Sequence, residues 1–428
     1  MRAATLTLLV TAIILGCVSH AAAENRQFQI TVSAGNHARS FSPAKATIDL
    51  PESYPADPLA SLSDELGNRH DAQLTPVGLL TADNSAPAGM RRYELHFVVM
   101  HREAGSTWKG TLEVLDRSFA DLLPEAKSSS LSWSEPSDQS VELRRAERPL
   151  LRYMLAKLDE STPERRAETY KVYHHVFDPA GKSLLTKGPG GLFPHHRGLF
   201  YGFNRISYGD SRTADTWHCT NGAYESHEGF LSNEAGAILG RHTVKVHWHG
   251  QESEVFANEE RELTTYVLPN GTLIEFASRL RSTVGPVKLD GDPQHAGFQF
   301  RAAQEVADVT NKETYYIRPF GKGAPGETLN WPEAKEMVNL PWHAMSCVIS
   351  GQRYTIAMLD RPENPKESRF SERDYGRFGS YFEYQLDEDK PLELNYRVWV
   401  QAGEMTADEI EAKSREFVEP VEVTVTPR

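Results

Sequence analysis

The chain has 428 residues and carries 46 Lys and Arg against 59 Asp and Glu, a net charge of −13 at neutral pH. That balance argues against nucleic acid or an anionic membrane surface as partner, since both recruit a net basic face. It leaves open an acidic ligand held in a local basic cleft. Hydrophobic content of 39% and charged content of 25% are those of an ordinary folded protein long enough for two or three domains.

In chain order, residues 1–23 read as an export signal. Arg2 supplies the positive end, residues 6–16 the apolar core, and Ala21-Ala22-Ala23 a small-residue cleavage site. The apolar core is too short for a membrane span. A rival cut lies before Cys17, in a loose lipoprotein-like box, but Leu15 fits that box poorly. Release after Ala23 is therefore expected, giving a periplasmic or extracellular protein with no integral membrane segment. Of three cysteines, Cys17 leaves with the signal, while Cys219 and Cys347 are available to pair; no CxxC zinc pattern occurs.

Residues 24–146 alternate apolar and polar side chains in short runs, as in Phe28-Gln29-Ile30-Thr31-Val32, with Gly, Pro, Asn and Asp between them. This predicts a small β-sandwich domain with no reactive constellation of its own, containing a Ser-rich loop or linker at 128–139.

From residue 150 the strands lengthen and histidines collect. Residues 190–208, GGLFPHHRGLFYGFNRISY, place His195, His196 and Arg197 between a Gly/Pro-rich bend and an aromatic run. Imidazoles exchange protons near neutrality and a guanidinium offers a planar fork of donors. Asp215-Thr216-Trp217-His218 and Tyr224-Glu225-Ser226-His227-Glu228 follow. Strand alternation puts Lys245, His247 and His249 on one face, and Glu275, Arg279 and Arg281 on another. It likewise places His295, Gly297, Gln299 and Arg301 together, opposite Phe298 and Phe300. Histidines recurring on several strands predict one polar concave surface of the kind that binds glycans. Thr406, with Glu409 three residues on, predicts a capped helix over 406–417.

The runs Phe193-Pro194-His195-His196-Arg197-Gly198-Leu199-Phe200, Asp215-Thr216-Trp217-His218, Leu359-Asp360-Arg361-Pro362-Glu363-Asn364-Pro365 and Arg373-Asp374-Tyr375-Gly376 resemble the bacterial PmoA-type family over about residues 150–419. Where that family tends to have Asp-His-Pro this chain has Asp360-Arg361-Pro362, so no role for a histidine there carries over. The family's "methane oxygenase" label does not suit the chain. It has no membrane-spanning segments after the signal, and Glu24 rather than His would begin the mature protein. The resemblance implies a large antiparallel β-sandwich, like the supersandwich of aldose mutarotases and some polysaccharide lyases, over residues 150–418. Fold alone does not assign a reaction.

No GxSxG or HExxH occurs, and GKGAPGETL at 321–329 lacks the spacing of a phosphate loop. The leading expectation is a carbohydrate-active enzyme of the lyase, epimerase or glycosidase type. His195 or His196 would be the base, and Tyr201 or His218 the acid. Arg197 or Arg301 would steady a carboxylate or enolate-like oxygen, and with Trp217, His227, His295 and Gln299 would hold a sugar or acidic oligosaccharide. Glu225, Glu228, Asp215 and Asp360 are further carboxylates that spacing does not rank. A non-catalytic glycan-binding protein comes second and a metal-binding oxidoreductase third; no cofactor and no metal ligand set is assigned from spacing.

Overall fold

The computed structural model describes residues 25–122, 129–292 and 294–428; the expected signal at 1–23 lies outside them, as does Cys17. Among the described residues the chain is mainly β, built from antiparallel sheets, as the alternation predicts. Among the described residues no helix is long and apolar enough to cross a membrane.

The N-terminal strands form a seven-stranded sheet that curls until its edge strands, Ser42–Pro51 and Glu422–Pro427, lie against each other. It encloses a core of its own around Ile30, Leu50, Leu62, Leu95 and Leu112. One strand comes from the far end of the chain: Glu422–Pro427 pairs with Arg26–Ser33. Pairing also runs across the expected division at residue 146. Leu131–Trp133 and Ser140–Arg145 join the sheet of the larger body rather than the N-terminal one.

The larger body packs an eight-stranded sheet on a nine-stranded one. Their facing sides share one apolar core, in which Leu199, Tyr201, Phe298 and Phe300 meet Val246, Trp248, Ile274 and Phe276. The outer side of the nine-stranded sheet is covered twice. Arg241 reaches Glu94 of the N-terminal sheet at 2.9 Å, and helix Ala407–Val418 buries Ile410 and Phe417 beside Trp342 and Trp399. Thr406 and Glu409 form the capping box that starts this helix. The outer side of the eight-stranded sheet is where the long loops gather. Two glycines in it are obligatory. A Cβ on Gly198 (φ +50°) would lie 2.0 Å from the His174 carbonyl oxygen, and one on Gly297 (φ +81°) 1.9 Å from that of Ser380.

The histidines do not share a single concave surface. His174 and His242 are inside the sandwich, their Nε2 atoms 2.9 Å apart. His247 and His249 sit with Glu228 at the outer edge of the other sheet. Cys219 and Cys347 are separate, buried, free thiols.

Candidate metal centre and its surroundings

Three loops converge on the outer side of strands Leu199–Phe203, Ala296–Arg301 and Arg377–Tyr381. The loop before the first carries His195 and His196. The second ends in Asp292 and His295, and a third, after strand Arg212–Ala214, carries Asp215 and His218. The ring centroids of His195 and His218 are 4.5 Å apart and those of His218 and His295 5.0 Å. One nitrogen from each of these three rings lies within 4.8 Å of the others.

Two of the rings are oriented by carboxylates. His218 Nδ1 donates to Asp215 Oδ2 at 2.8 Å, and His295 Nδ1 donates to Asp292 Oδ1 at 2.8 Å. That fixes Nε2 as the lone-pair nitrogen in both. His195 Nε2 is buried without a hydrogen-bond partner. Lone pairs brought together with no donor between them repel, and a cation removes that repulsion. Imidazoles backed by Asp through their other nitrogen are the usual dress of metal-bound histidine. Three histidines with a fourth position open is a catalytic rather than a structural zinc-type set. The donors present therefore fit a divalent transition metal.

Electrostatics agree with a neutral His195. Burial, reinforced by His218, pushes His195 down to about 2. Burial opposes ionisation of Asp292, but the hydrogen bond from His295 and its other donors win and hold it below the usual carboxylate range.

His196 lies under the centre, its ring 4.2 Å from that of His195 and 5.5 Å from Trp217, and neither of its nitrogens has a protein partner. Phe193 and Tyr375, 5.0 Å apart, wall the other side. An open depression of about 420 Å³ adjoins the centre through Asp215 and Asn204, with Asn221, Lys288 and Asp290 further along its lining.

The structure thus brings His195, His196, His218, His295 and Trp217 into one place and leaves three expected residues out. Tyr201 faces the opposite side of its strand, packing on Trp248 and Phe276 in the core. Period-two geometry sends Phe200 to the site and Tyr201 away from it. His227 stands against Tyr153, its Nδ1 3.2 Å from the phenol oxygen. Arg197 is fully buried, and its guanidinium is spent on the carbonyls of Pro194 (2.9 Å), Glu168 (3.2 Å) and Ala167. It clamps the histidine loop to the short helix Pro163–Thr169 and has no fork left for a ligand. Gln299 accepts from Arg377 Nη1 at 2.9 Å, so it orients that arginine. Of the four unranked carboxylates, Asp215 backs His218, whereas Asp360 is tied to Lys366 and Asn364 in a distant turn. Sequence reasoning missed Asp292, Tyr375 and Arg377 as parts of the site. One signal was there for the first: Asp215 and Asp292 each stand three residues before a site histidine, a repeated D-x-x-H.

Residues 140–415 match a family described as "Family of unknown function (DUF6807)". The chain belongs to this family. That overturns the resemblance to the PmoA-type family: over the same stretch the matching family is DUF6807, so no oxygenase or other activity passes to this chain by kinship. No curated protein matches the DUF6807 chain. Among solved structures, an α-mannosidase from Enterococcus faecalis V583 aligns at 9% identity with a TM-score of 0.44, covering 94% of this chain and 46% of that one. A glycosyl hydrolase family 38 protein from Enterococcus faecalis aligns at 9% identity and 0.43, covering 94% and 47%. The chain spans about half the length of these structures, and likenesses of this size say nothing about chemistry.

Proposed function

We propose that the chain is a carbohydrate-active enzyme that performs acid/base chemistry on a sugar with the help of a divalent metal ion held by His195, His218 and His295. The observation that carries this reading is the pair of Asp-backed imidazoles converging with an unpartnered third. A metal ion there would act as a Lewis acid on a substrate hydroxyl or carbonyl oxygen and make a neighbouring proton easier to remove. His196, beside the centre with both nitrogens free, is placed to take or return that proton. Trp217 holds the ring of His196 from behind. The adjoining depression, lined by amide, carboxylate and ammonium groups, suits a polyhydroxylated ligand.

The test is metal analysis followed by turnover. The purified protein should carry about one transition-metal ion per chain and lose it in His218→Ala. Turnover on a panel of neutral and acidic oligosaccharides should vanish on chelation and return with added metal. His196→Ala should keep the metal but slow turnover by roughly 10²–10⁴-fold, the usual share of a positioned proton-transfer group. A metal-free protein with chelator-insensitive turnover refutes the metal. Glycan binding without any turnover replaces the enzyme with a binding module.

A further inference from the structure

Among the described residues, buried arginines elsewhere are neutralised or spent. Arg261 Nη2 is 2.7 Å from Glu259, Arg318 Nη2 is 2.7 Å from Glu372, and Arg241 Nη1 is 2.9 Å from Glu94. Arg197 is used up on backbone carbonyls. Arg301 and Arg377 are the exceptions. Both are 0% exposed, and they face each other directly across the ladder between strands Ala296–Arg301 and Arg377–Tyr381. Neither has a carboxylate partner among the described residues. Like charges set opposite on neighbouring strands repel, and burial strengthens the repulsion. A chain that folds with this pair in place has something to set against the cost.

The free atoms say what that is. Arg301 Nη1 is anchored to the Tyr375 carbonyl, and Arg377 Nη1 to Gln299 Oε1 at 2.9 Å and Ser371 Oγ at 3.0 Å. In both residues Nε and Nη2 are buried with no hydrogen-bond partner. Those two nitrogens form the edge by which a guanidinium grips a carboxylate with two parallel bonds. Two arginines, each fixed by Nη1, therefore leave the same gripping edge unused. Burial opposes the Arg377 charge and the Tyr375 phenol, within bonding reach of the guanidinium, favours it, but a single hydroxyl does not balance two guanidiniums.

The pair borders the histidine site. Arg301 Cζ is 4.7 Å from the Tyr375 ring centroid, and that ring stacks on His196 at 6.1 Å. Tyr375 is half-buried, and Phe193, 5.0 Å from it, is exposed.

We infer that Arg301 and Arg377 form the seat for a substrate carboxylate, so that the sugar handled at the histidine centre is an acidic one, of the uronic or aldonic acid class. The inference rests on the proposed reading of that centre as a sugar site. The arginines are not metal ligands, so the two ideas fail separately.

Calorimetry would use D-glucuronate, D-galacturonate and D-gluconate as probes, with D-glucose, D-galactose and inorganic phosphate as controls. Each would be titrated into the protein as isolated and into chelator-stripped protein. At least one acid should bind ten-fold or more tighter than its neutral counterpart, and Arg377→Met and Arg301→Met should each weaken it ten-fold or more. The preference for the acid should survive metal removal. Without ligand, the Met variants should melt within a few degrees of wild type, because relief of the buried repulsion offsets the lost Nη1 bonds. Arg377→Lys, which keeps charge but loses the fork, should bind the acid poorly. Equal binding of acid and neutral sugar, or of wild type and Arg377→Met, overturns the inference. A steep drop in melting temperature for the Met variants also overturns it, since the guanidiniums would then be structural. Phosphate binding alone would replace the carboxylate with another oxyanion. If the protein carries no metal but still prefers the acid, the metal centre falls and the seat stands.

Discussion

Replacing Glu225 by Gln should make the protein more stable, and increasingly so as pH rises. Glu225 is 1% exposed in the sandwich, and neither carboxylate oxygen has a hydrogen-bond partner. Arg261 Nη2 lies 3.6 Å from Oε2, close enough to suggest an ion pair. That guanidinium is already gripped by both oxygens of Glu259, at 2.9 and 2.7 Å. Its charge is largely spoken for, and burial therefore wins, raising Glu225 to about 8. The sign follows from the two states. Below about pH 4.5 the carboxyl is protonated whether folded or not, and nothing is lost. Between there and pH 8 the unfolded chain releases the proton while the folded one keeps it, so stability falls as pH rises, and above pH 8 the loss levels off. With about 1.4 kcal/mol for each pH unit in that window, the loss between pH 5 and pH 8 is on the order of 3 kcal/mol. Glu225→Gln removes the titration and keeps the shape. Melting temperatures of wild type and variant, taken from pH 5 to pH 8.5, should diverge by several degrees, with the variant higher at the alkaline end. A difference that is flat, or that favours wild type as pH rises, would mean an ionised Glu225 paired with Arg261 and would refute the argument.

Two further outcomes test the reading of the chain. Arg197→Ala should lower stability by about 2–4 kcal/mol, because it strips buried carbonyls of charge-assisted bonds and frees the histidine loop. Arg197→Lys should restore only part of it, and thermal melts with metal content read alongside would show whether the loop or a ligand contact was lost. Mass spectrometry of the exported protein should find an N-terminus at Glu24; a lipid on Cys17 would instead mean a tethered protein.

The architecture was legible because strand alternation is a local property. Phe298 and Phe300 go to the core and Gln299 and Arg301 to the outer side simply by parity, and the same parity was available for Phe200 and Tyr201. It turns Tyr201, one of the two expected acids, onto Trp248 and Phe276 in the core. The division of labour among charged groups was not legible, because it depends on neighbours far away in the chain. Arg197 looks like an anion binder beside two histidines, yet its partners are the carbonyls of residues 167 and 168. Arg377 follows the Arg373–Gly376 run and nothing local marks it; only strand register sets it opposite Arg301. The DxxH repeat was a local signal that needed no neighbours, since an Asp three residues before a His can close onto its Nδ1 within one loop.

Burial by itself does not separate structural from functional polar groups here; the gathering of several unsatisfied groups in one place does. His174, His242, Arg261, Glu259 and Arg318 are as deeply buried as anything in the chain, and for most of them a named protein partner accounts for the polar atoms. At the histidine centre the partners are arranged differently. Asp215, Asp292, Gln299 and Ser371 each hold one end of a site residue and leave the other end free. The free ends are three imidazole lone pairs on one side of His196 and two guanidinium edges on the other. Leaving such groups unpaired in an apolar setting costs folding free energy. Two unrelated sets of half-satisfied groups flanking one ring are hard to ascribe to chance, since most other buried charges among the described residues are paired and the isolated Glu225 keeps its proton up to about pH 8. The first set calls for a cation and the second for an anion. A metal ion and a carboxylate-bearing sugar meet both demands, and each would be bound by atoms the fold has already desolvated and aimed.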